Sequence, residues 1–328
     1  MRERILAPAA FLPVYSFPVT RSTLKADLLL FLAAAIWGAA FVAQRVAMYH
    51  VGPLFFNGLR FALGALLLLP VVAARSANRV RSDPARPSPG AGLYLYGGIA
   101  AGLILFAGST LQQCGMVDNT AGKGGFITSL YVVLVPVFGL LIGQRTTSAA
   151  WAGVVLSVTG LYFLTVTASL DIARSDLLVL ACAAVWAIHV LMIGWLAPQA
   201  DPYRLAVIQC AVTAIVSFAA AMIWERPTFA GTRAALWPIL YCGVISVGIA
   251  YTLQVIGQRD APPTHAAILF GLEAVFAALT GWLLLDEQLS RQQLLGCGLM
   301  LAGVLVSQIR MPAPKPRPLP PVPQGTQP

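Results

Sequence analysis

Ten runs of mainly apolar residues, each about twenty residues long, follow one another along this chain of 328 residues. A helix of that length crosses the hydrocarbon core of a bilayer with its backbone hydrogen bonds satisfied internally. The runs are continuous, whereas the strands of a membrane barrel would alternate in polarity. The sequence therefore predicts an all-α integral membrane protein with ten transmembrane helices. The predicted spans are 27–49, 53–74, 92–115, 121–142, 149–168, 175–197, 203–225, 234–258, 263–285 and 291–310.

Composition supports this class of protein and excludes others. Hydrophobic residues make up 58% of the chain and charged residues only 10%, against about 25% charged in soluble domains. The net charge is +9, but the Lys and Arg residues are scattered over short loops, so we expect a lipid bilayer and no nucleic acid as partner. The five Cys and three His have no metal-binding spacing, and HExxH, GxSxG, Walker and GxGxxG signatures are absent. We expect no enzyme activity, no metal and no cofactor.

The distribution of positive charge predicts the orientation. With the N-terminus inside, fourteen Lys and Arg lie on the cytoplasmic side and six on the other, with Arg60 within a span. This bias predicts a multi-pass protein of the cell inner (plasma) membrane with both termini cytoplasmic. Residues 1–24 are expected to form a cytoplasmic segment, because the apolar patch there lacks a clean signal-peptide cleavage site. Residues 75–90 read as a solvated loop, and the Pro-rich tail 311–328 as disordered and cytoplasmic.

An internal repeat divides the chain. The stretch DLLLFLAAAIW at 27–37 returns as DLLVLACAAVW at 176–186, with six of eleven positions identical. Further on, LQQCG at 111–115 matches LQVIG at 253–257, now 142 residues apart. Asp27 and Asp176 are expected to lie at the N-termini of equivalent helices, where a carboxylate is stabilised by the helix dipole.

The repeat predicts two halves of five spans each, at 25–170 and 171–310. Because five is odd, the second half enters the membrane from the opposite side, which gives inverted repeats. Inverted repeats are typical of secondary transporters that work by alternating access on a small-molecule substrate. A channel, a non-transporting scaffold and a membrane-embedded enzyme are the alternatives.

Several phrases resemble a known family. AAAIWGAAFVAQRV, FFNGLRFALGALLLLP, GKGGFITSLYVVLVPVFGLLIGQR and LEAVFAALTGWLLLDEQLS are similar to the two EamA domains of the bacterial drug/metabolite transporter superfamily. The resemblance covers about residues 25–310. It implies a ten-helix inner-membrane carrier with a central cavity, which exports amino acids, other small metabolites or drug-like amphipathic compounds. Gln144-Arg145 and Asp286-Glu287 depart from the Gly-Glu that often ends the corresponding spans.

Two charged residues lie inside predicted spans. Glu273 is near the middle of the ninth span, where a carboxylate is costly unless it is protonated, paired or facing water. It either couples transport to protons or is a protonated residue that hydrogen-bonds a neighbouring helix. Arg60, in the second span, either holds a carboxylate of the substrate or pairs with Glu273.

Polar and aromatic residues recur at symmetric places within the spans. Trp37 and Trp186 lie at mid-span, where an indole either packs between helices or lines an amphipathic cavity and offers its N–H. His189, three residues after Trp186, shares its helix face; such a residue either satisfies a hydrogen bond or moves a proton. A polar seam is predicted through spans 3, 4 and 8, formed by Gln112, Gln254, Tyr131 and Tyr251.

Glycines mark a close helix contact. Gly153 and Gly160 are seven residues apart, as are Gly296 and Gly303, so each pair lies on one helix face. Small residues let helices approach closely in lipid. Spans 5 and 10 are therefore predicted to pack together, either within the chain or at the seam of a homodimer.

Overall fold

The computed structural model describes residues 21–82, 90, 92–144, 146–165, 173–286, 288 and 290–307. The regular structure in this part of the chain is helical throughout. The α-helices are α1 (Arg21–Ala47), α2 (Pro53–Ser82), α3 (Ile99–Gly115), α4 (Ala121–Ser129), α5 (Tyr131–Leu141), α6 (Ser148–Thr165), α7 (Arg174–Leu196), α8 (Pro202–Trp224), α9 (Phe229–Ala234), α10 (Leu236–Leu240), α11 (Tyr251–Gly257), α12 (Pro263–Phe270), α13 (Glu273–Leu285) and α14 (Arg291–Ser307). Two π-helical stretches, Leu93–Gly98 and Tyr241–Ala250, lead directly into α3 and α11.

Parts of the sequence-based prediction lie outside the described residues. These are most of the N-terminal segment 1–24, the whole tail 311–328 and the predicted boundary between the two halves at residues 170 and 171. Arg145 and Glu287, which depart from the family pattern, also lie outside them.

Eight helical segments of the described chain are long and apolar enough to cross a membrane. They correspond to predicted spans 1 to 4 and 6 to 9. They are Leu24–Ala47, Pro53–Ser76, Leu93–Gly115, Ala121–Leu141, Arg174–Leu196, Pro202–Trp224, Leu236–Gly257 and Pro263–Leu285. The fifth predicted span is a shorter apolar helix, Ser148–Phe163, and the tenth corresponds to the 17 residues of α14.

The predicted loop at residues 75–90 is wrong in its first part, because α2 continues as helix to Ser82. The Arg75 guanidinium lies 4.6 Å from the centre of the Tyr203 ring. Arg204 donates a hydrogen bond of 2.9 Å to Ser76. The extension of α2 is thus held by the start of α8, which sequence periodicity does not reveal.

The outward faces of the helices are strongly apolar. Leu28, Ile215, Trp224 and Leu305 each expose 66 to 73% of their surface. A large apolar surface of this kind requires another apolar phase to cover it in water. Together with the eight apolar helices, it identifies a multi-pass membrane protein whose exposed face contacts lipid.

Each helix makes contacts equivalent to those that its counterpart makes in the other half of the chain. Helix α1 packs against α13 and against the segment formed by the second π-helical stretch and α11. Its counterpart α7 packs against α4, α5 and α3. Helix α2 packs against α8, and α6 against α14. The sequence repeat therefore corresponds to a repeat of helix contacts.

Two polar contacts between helices are also equivalent in the two halves, an ion pair of Lys with Asp and a contact of His with Asp. Lys123 Nζ in α4 lies 2.7 Å from Asp176 Oδ2 in α7, and His265 Nε2 in α12 lies 2.7 Å from Asp27 Oδ1 in α1. Asp176 is in the first turn of its helix, as predicted, and accepts a hydrogen bond of 2.9 Å from the Ala173 N–H. The prediction for Asp27 is wrong, because α1 begins at Arg21 and Asp27 lies well inside it.

The predicted glycines lie at the contact between α6 and α14. A Cβ atom on Gly160 would lie 2.5 Å from the Gly296 carbonyl oxygen, and one on Gly153 would lie 2.7 Å from the Gly303 carbonyl oxygen. The two backbones approach this closely only because both helices lack side chains there. The glycine faces are therefore occupied by a contact within the chain, which leaves them unavailable to a second copy.

Two spans are interrupted at equivalent places in the middle of the protein. One interruption, at Leu130, separates α4 from α5, and the other, at Gly271 and Leu272, separates α12 from α13. The Ser129 hydroxyl lies 3.4 Å from the Gly271 carbonyl oxygen, so the interruptions contact each other. The second half of each broken span begins at the interruption, with Tyr131 in one and Glu273 in the other.

Candidate substrate cavity

A cavity lies where the interrupted spans meet α1, α2, α3, α7 and the segment formed by the second π-helical stretch and α11, with about 500 Å³ of empty space that includes its opening to solvent. Eight of the nine residues predicted for a substrate path line it, and only His189 is not part of the wall. The full lining is Trp37, Phe41, Gln44, Arg60, Gln112, Thr128, Tyr131, Trp186, Val190, Ser246, Tyr251, Gln254, Phe270 and Glu273.

Aromatic rings form one wall of the cavity. The Trp37 ring centre is 5.0 Å from that of Tyr251 and 5.2 Å from that of Phe270. Tyr251 is also 6.3 Å from Trp186, so one tyrosine joins the symmetric tryptophans. Packed rings of this kind present flat, weakly negative faces that bind apolar groups and cations.

Both indole N–H groups are engaged within the protein. Trp37 Nε1 donates to the Ser246 carbonyl oxygen at 3.2 Å, and Trp186 Nε1 donates to Gln112 Oε1 at 2.8 Å. In this conformation neither N–H is free for a substrate, and the interpretation in which an indole offers its N–H stays a prediction. The tryptophans present their ring faces instead.

The predicted glutamines take different partners in the two halves. Gln112 Nε2 donates to Gln44 Oε1 at 2.9 Å. Gln254 Nε2 instead donates to Gln258 Oε1 at 2.9 Å, and Gln258 in turn donates to the Val190 carbonyl oxygen. The polar seam thus consists of two separate networks, and the one through Gln112 crosses from α3 to α1 and α7.

Glu273 is 4% exposed and is the first residue of α13. Its Oε1 lies 3.5 Å from the Ser129 hydroxyl, but Ser129 makes its shorter bond, 2.9 Å, to the Gly125 carbonyl oxygen. The Tyr131 hydroxyl is the other polar group that faces the carboxyl group. Tyr131 and Glu273 are equivalent positions, 142 residues apart, so the two halves meet at this carboxylate.

Arg60 is 4% exposed and is held by neutral groups. Its Nε donates to Asn57 Oδ1 at 2.9 Å, and its guanidinium lies 5.3 Å and 5.0 Å from the ring centres of Phe56 and Phe61. The predicted pairing with Glu273 is wrong: Arg60 and Glu273 form no ion pair with each other among the described residues. The cavity therefore contains a buried guanidinium and a buried carboxyl group that do not neutralise each other.

His189 lies behind the cavity wall. It is fully buried, and its Nε2 is 2.9 Å from Gln209 Oε1. Its ring packs edge-on against Trp186 and Tyr251, at 5.6 Å and 6.4 Å. These contacts fit the interpretation in which His189 satisfies a hydrogen bond and supports the aromatic wall.

Six lining residues were not predicted: Phe41, Gln44, Thr128, Val190, Ser246 and Phe270. Helical periodicity could have predicted two of them, because Phe41 and Gln44 follow Trp37 by four and seven residues and so lie on the same helix face. Ser246 contributes through its backbone carbonyl, for which the sequence has no signal. Among the described residues, no group of three His, Cys, Asp or Glu could hold a metal ion.

Comparisons with known proteins agree with this architecture. The sequence profile of the EamA-like transporter family matches residues 24–166 and again residues 173–308. A protein of Archaeoglobus fulgidus named as an uncharacterized transporter is 30% identical over 88% of this chain and 87% of its own length. The threonine/homoserine exporter RhtA of Escherichia coli K12 is 27% identical over 86% of this chain and 90% of its own.

A solved crystal structure with 20% sequence identity superposes with a TM-score of 0.69 over 87% of this chain and 96% of that chain, which shows the same fold. The profile matches most of the chain in two consecutive parts, and the relatives align over nearly their whole length. The chain therefore belongs to the EamA-like transporter family and is a membrane transporter.

Proposed function

We propose that the protein is a secondary exporter of small zwitterionic metabolites, such as amino acids, which works by alternating access in the cell inner membrane. One observation carries this proposal: Arg60 and Glu273 line the same cavity and neither is paired with an opposite charge within the described structure. A buried charge is strongly unfavourable without a partner. A zwitterion supplies both partners, a carboxylate for Arg60 and an ammonium group for Glu273.

The aromatic wall is consistent with this substrate class. An ammonium group next to Glu273 is also stabilised by the faces of Trp37 and Tyr251, through cation–π attraction. The apolar remainder of a metabolite packs against the same rings. The cavity therefore suits a molecule with two opposite charges and a small side chain.

The proposal includes the complete topology. We assign ten spans in two inverted halves, 25–170 and 171–310, with α6 and α14 as the fifth and tenth spans. Two observations support this assignment: equivalent helices of the two halves make equivalent contacts, and the fourth and ninth spans are interrupted at equivalent places. The excess of Lys and Arg on one side supports cytoplasmic termini. Export is the direction named for the threonine/homoserine relative.

The proposal is tested with purified protein in proteoliposomes. The vesicles are loaded with single radiolabelled amino acids, and each amino acid is compared with its decarboxylated amine and its deaminated acid. We expect the zwitterion to move and both singly charged analogues to be rejected, with export activity lost in Arg60→Met. Arg75→Met is the matched control, because Arg75 lies outside the cavity wall.

Coupling is tested in the same vesicles with and without a pH gradient. If Glu273 carries the coupled proton, Glu273→Gln abolishes the acceleration by the gradient, while Asp118→Asn, at an exposed position, retains it. Transport of amines or hydrophobic cations alone would contradict the zwitterion proposal. If no compound moves, a scaffold or membrane-embedded enzyme gains support, and unitary conductance in planar bilayers would identify a channel.

A further inference from the structure

We propose that Gln44 is a specificity-determining residue, which donates a hydrogen bond from its amide nitrogen to an oxygen atom in the side chain of the transported molecule. Trp186 sets the orientation of this amide through Gln112. The inference rests on the proposed function, because it concerns the side-chain end of an amino-acid-like substrate in the same cavity.

The orientation follows from the chemistry of the three groups. An indole nitrogen only donates, so the Gln112 atom 2.8 Å from Trp186 Nε1 is an oxygen. The other end of the Gln112 amide is therefore a nitrogen, and it donates to Gln44 at 2.9 Å. The Gln44 atom that receives this bond must be its oxygen. The orientation of the Gln112 amide is thus set by Trp186, and the orientation of the Gln44 amide is set by Gln112.

The free end of Gln44 is therefore an N–H donor. Gln44 lines the cavity and is 3% exposed, and its Nε2 donates to no protein group within the described residues. If the amide turned over, two nitrogens would face each other between Gln44 and Gln112. An occupant that covers this donor and offers it no acceptor would leave it unpaired, which is costly, so the cavity favours an occupant with an oxygen atom at this place.

The position of Gln44 separates it from the two charged groups. It lies on the same face of α1 as Trp37 and Phe41, and its network runs to α3 and α7. Arg60 is anchored on α2 and Glu273 begins α13. We therefore assign the carboxylate and ammonium of the substrate to the charged residues, and the side-chain oxygen to Gln44.

The test uses two amino acids that differ in one atom. O-methyl-L-serine has an ether oxygen where L-norvaline has a methylene, and an ether oxygen accepts hydrogen bonds but cannot donate them. Binding to the full-length protein in detergent is measured by quenching of tryptophan fluorescence, since Trp37 and Trp186 line the cavity. We expect the wild-type protein to bind the ether about fivefold more tightly than norvaline, in line with one net hydrogen bond.

Two substitutions test the orientation. Gln44→Met keeps about the same length but has no donor, so the preference for the ether is expected to fall to about one. Gln112→Met removes the donor that holds the Gln44 oxygen, which frees the Gln44 amide to turn and lowers the preference. Gln199→Met makes the same substitution at an exposed site outside the cavity and should keep the preference of the wild type.

Each outcome separates this inference from the function on which it rests. If the wild-type protein binds both amino acids equally, or if Gln44→Met keeps a fivefold preference, the role of Gln44 is refuted while the exporter proposal stands. If neither amino acid binds, both are refuted. The melting temperature without amino acid shows that each variant is folded, and a merely structural role would lower both affinities without changing their ratio.

Discussion

Substitution of Gly303 by Ala tests how closely the last described helix packs against α6. Gly298 on the same helix provides a matched control. A Cβ atom added to Gly303 would lie 2.6 Å from the Ser157 hydroxyl and 2.8 Å from the Gly153 carbonyl oxygen. A Cβ atom added to Gly298 would have no heavy atom within 4 Å. The two variants change the same chemical group in the same helix and differ only in what surrounds it.

The expected magnitudes follow from these distances. Alanine favours a helix over glycine by about 1 kcal/mol, and both variants gain this term. Ordinary contact begins at 3.4 Å, so the Gly303 variant must separate its Cβ from a backbone oxygen by another 0.6 Å, which is 3.4 minus 2.8. Overpacking of this kind costs about 1–3 kcal/mol. We therefore expect Gly298→Ala to be stabilising and Gly303→Ala to lie about 1–3 kcal/mol below it.

The assay is thermal unfolding of the purified variants in one detergent at one scan rate. The difference in free energy corresponds to a gap of about 2–10 °C between the two melting temperatures. Gly160→Ala should have a lower melting temperature than Gly303→Ala, because its Cβ would lie 2.5 Å from a backbone oxygen and 2.8 Å from a backbone nitrogen. Equal melting temperatures for the Gly298 and Gly303 variants would refute the close packing of α6 and α14.

Two further predictions concern carboxylates at helix starts, each measured by the same melting experiment. Glu225 accepts hydrogen bonds of 2.7 Å and 2.8 Å from the N–H groups of Leu54 and Phe55 in the first turn of α2. Glu225→Ala should therefore lower the free energy of unfolding by about 1–2 kcal/mol. Glu225→Gln retains one acceptor and should lower it by less. A result in which Gln costs as much as Ala would contradict this capping role. Asp176→Ala removes both a helix cap and the pair with Lys123 and should destabilise more than Lys123→Met, which removes a partly exposed pair worth below about 1 kcal/mol. Equal losses would show that the cap contributes nothing.

Much of the architecture was predictable because lipid imposes strict rules on sequence. Apolar runs of about twenty residues predicted the places of the eight long apolar helices. The repeat at Asp27 and Asp176 corresponds to helices that occupy equivalent positions in the packing. Glycine spacing predicted the partnership of α6 and α14, since few other residues allow backbones to approach so closely in a membrane.

The interior of the site was less predictable, because hydrogen-bond partners depend on the helices that face each residue. Trp37 and Trp186 were recognised as cavity residues, but a sequence does not show that both N–H groups are already used. The π-helical stretch that contains Ser246 supplies the carbonyl for Trp37. Pairing with Glu273 was one of the two interpretations for Arg60, but in the structure Arg60 instead contacts Asn57 and the ring of Phe61.

The departures from symmetry explain the chemistry of the cavity better than the symmetry does. Gln112 and Gln254 are equivalent residues, but the position equivalent to Gln44 is Ile193, 149 residues later, so Gln254 has no such partner and bonds within its own helix region. In the same way Glu273 is equivalent to Tyr131. The two repeats therefore form equivalent halves of the cavity wall, while polar residues that occur in only one half make its two sides chemically different. Under the proposed function, a substrate in this cavity would meet a different group at each end, and we expect the cavity to select molecules with distinct ends.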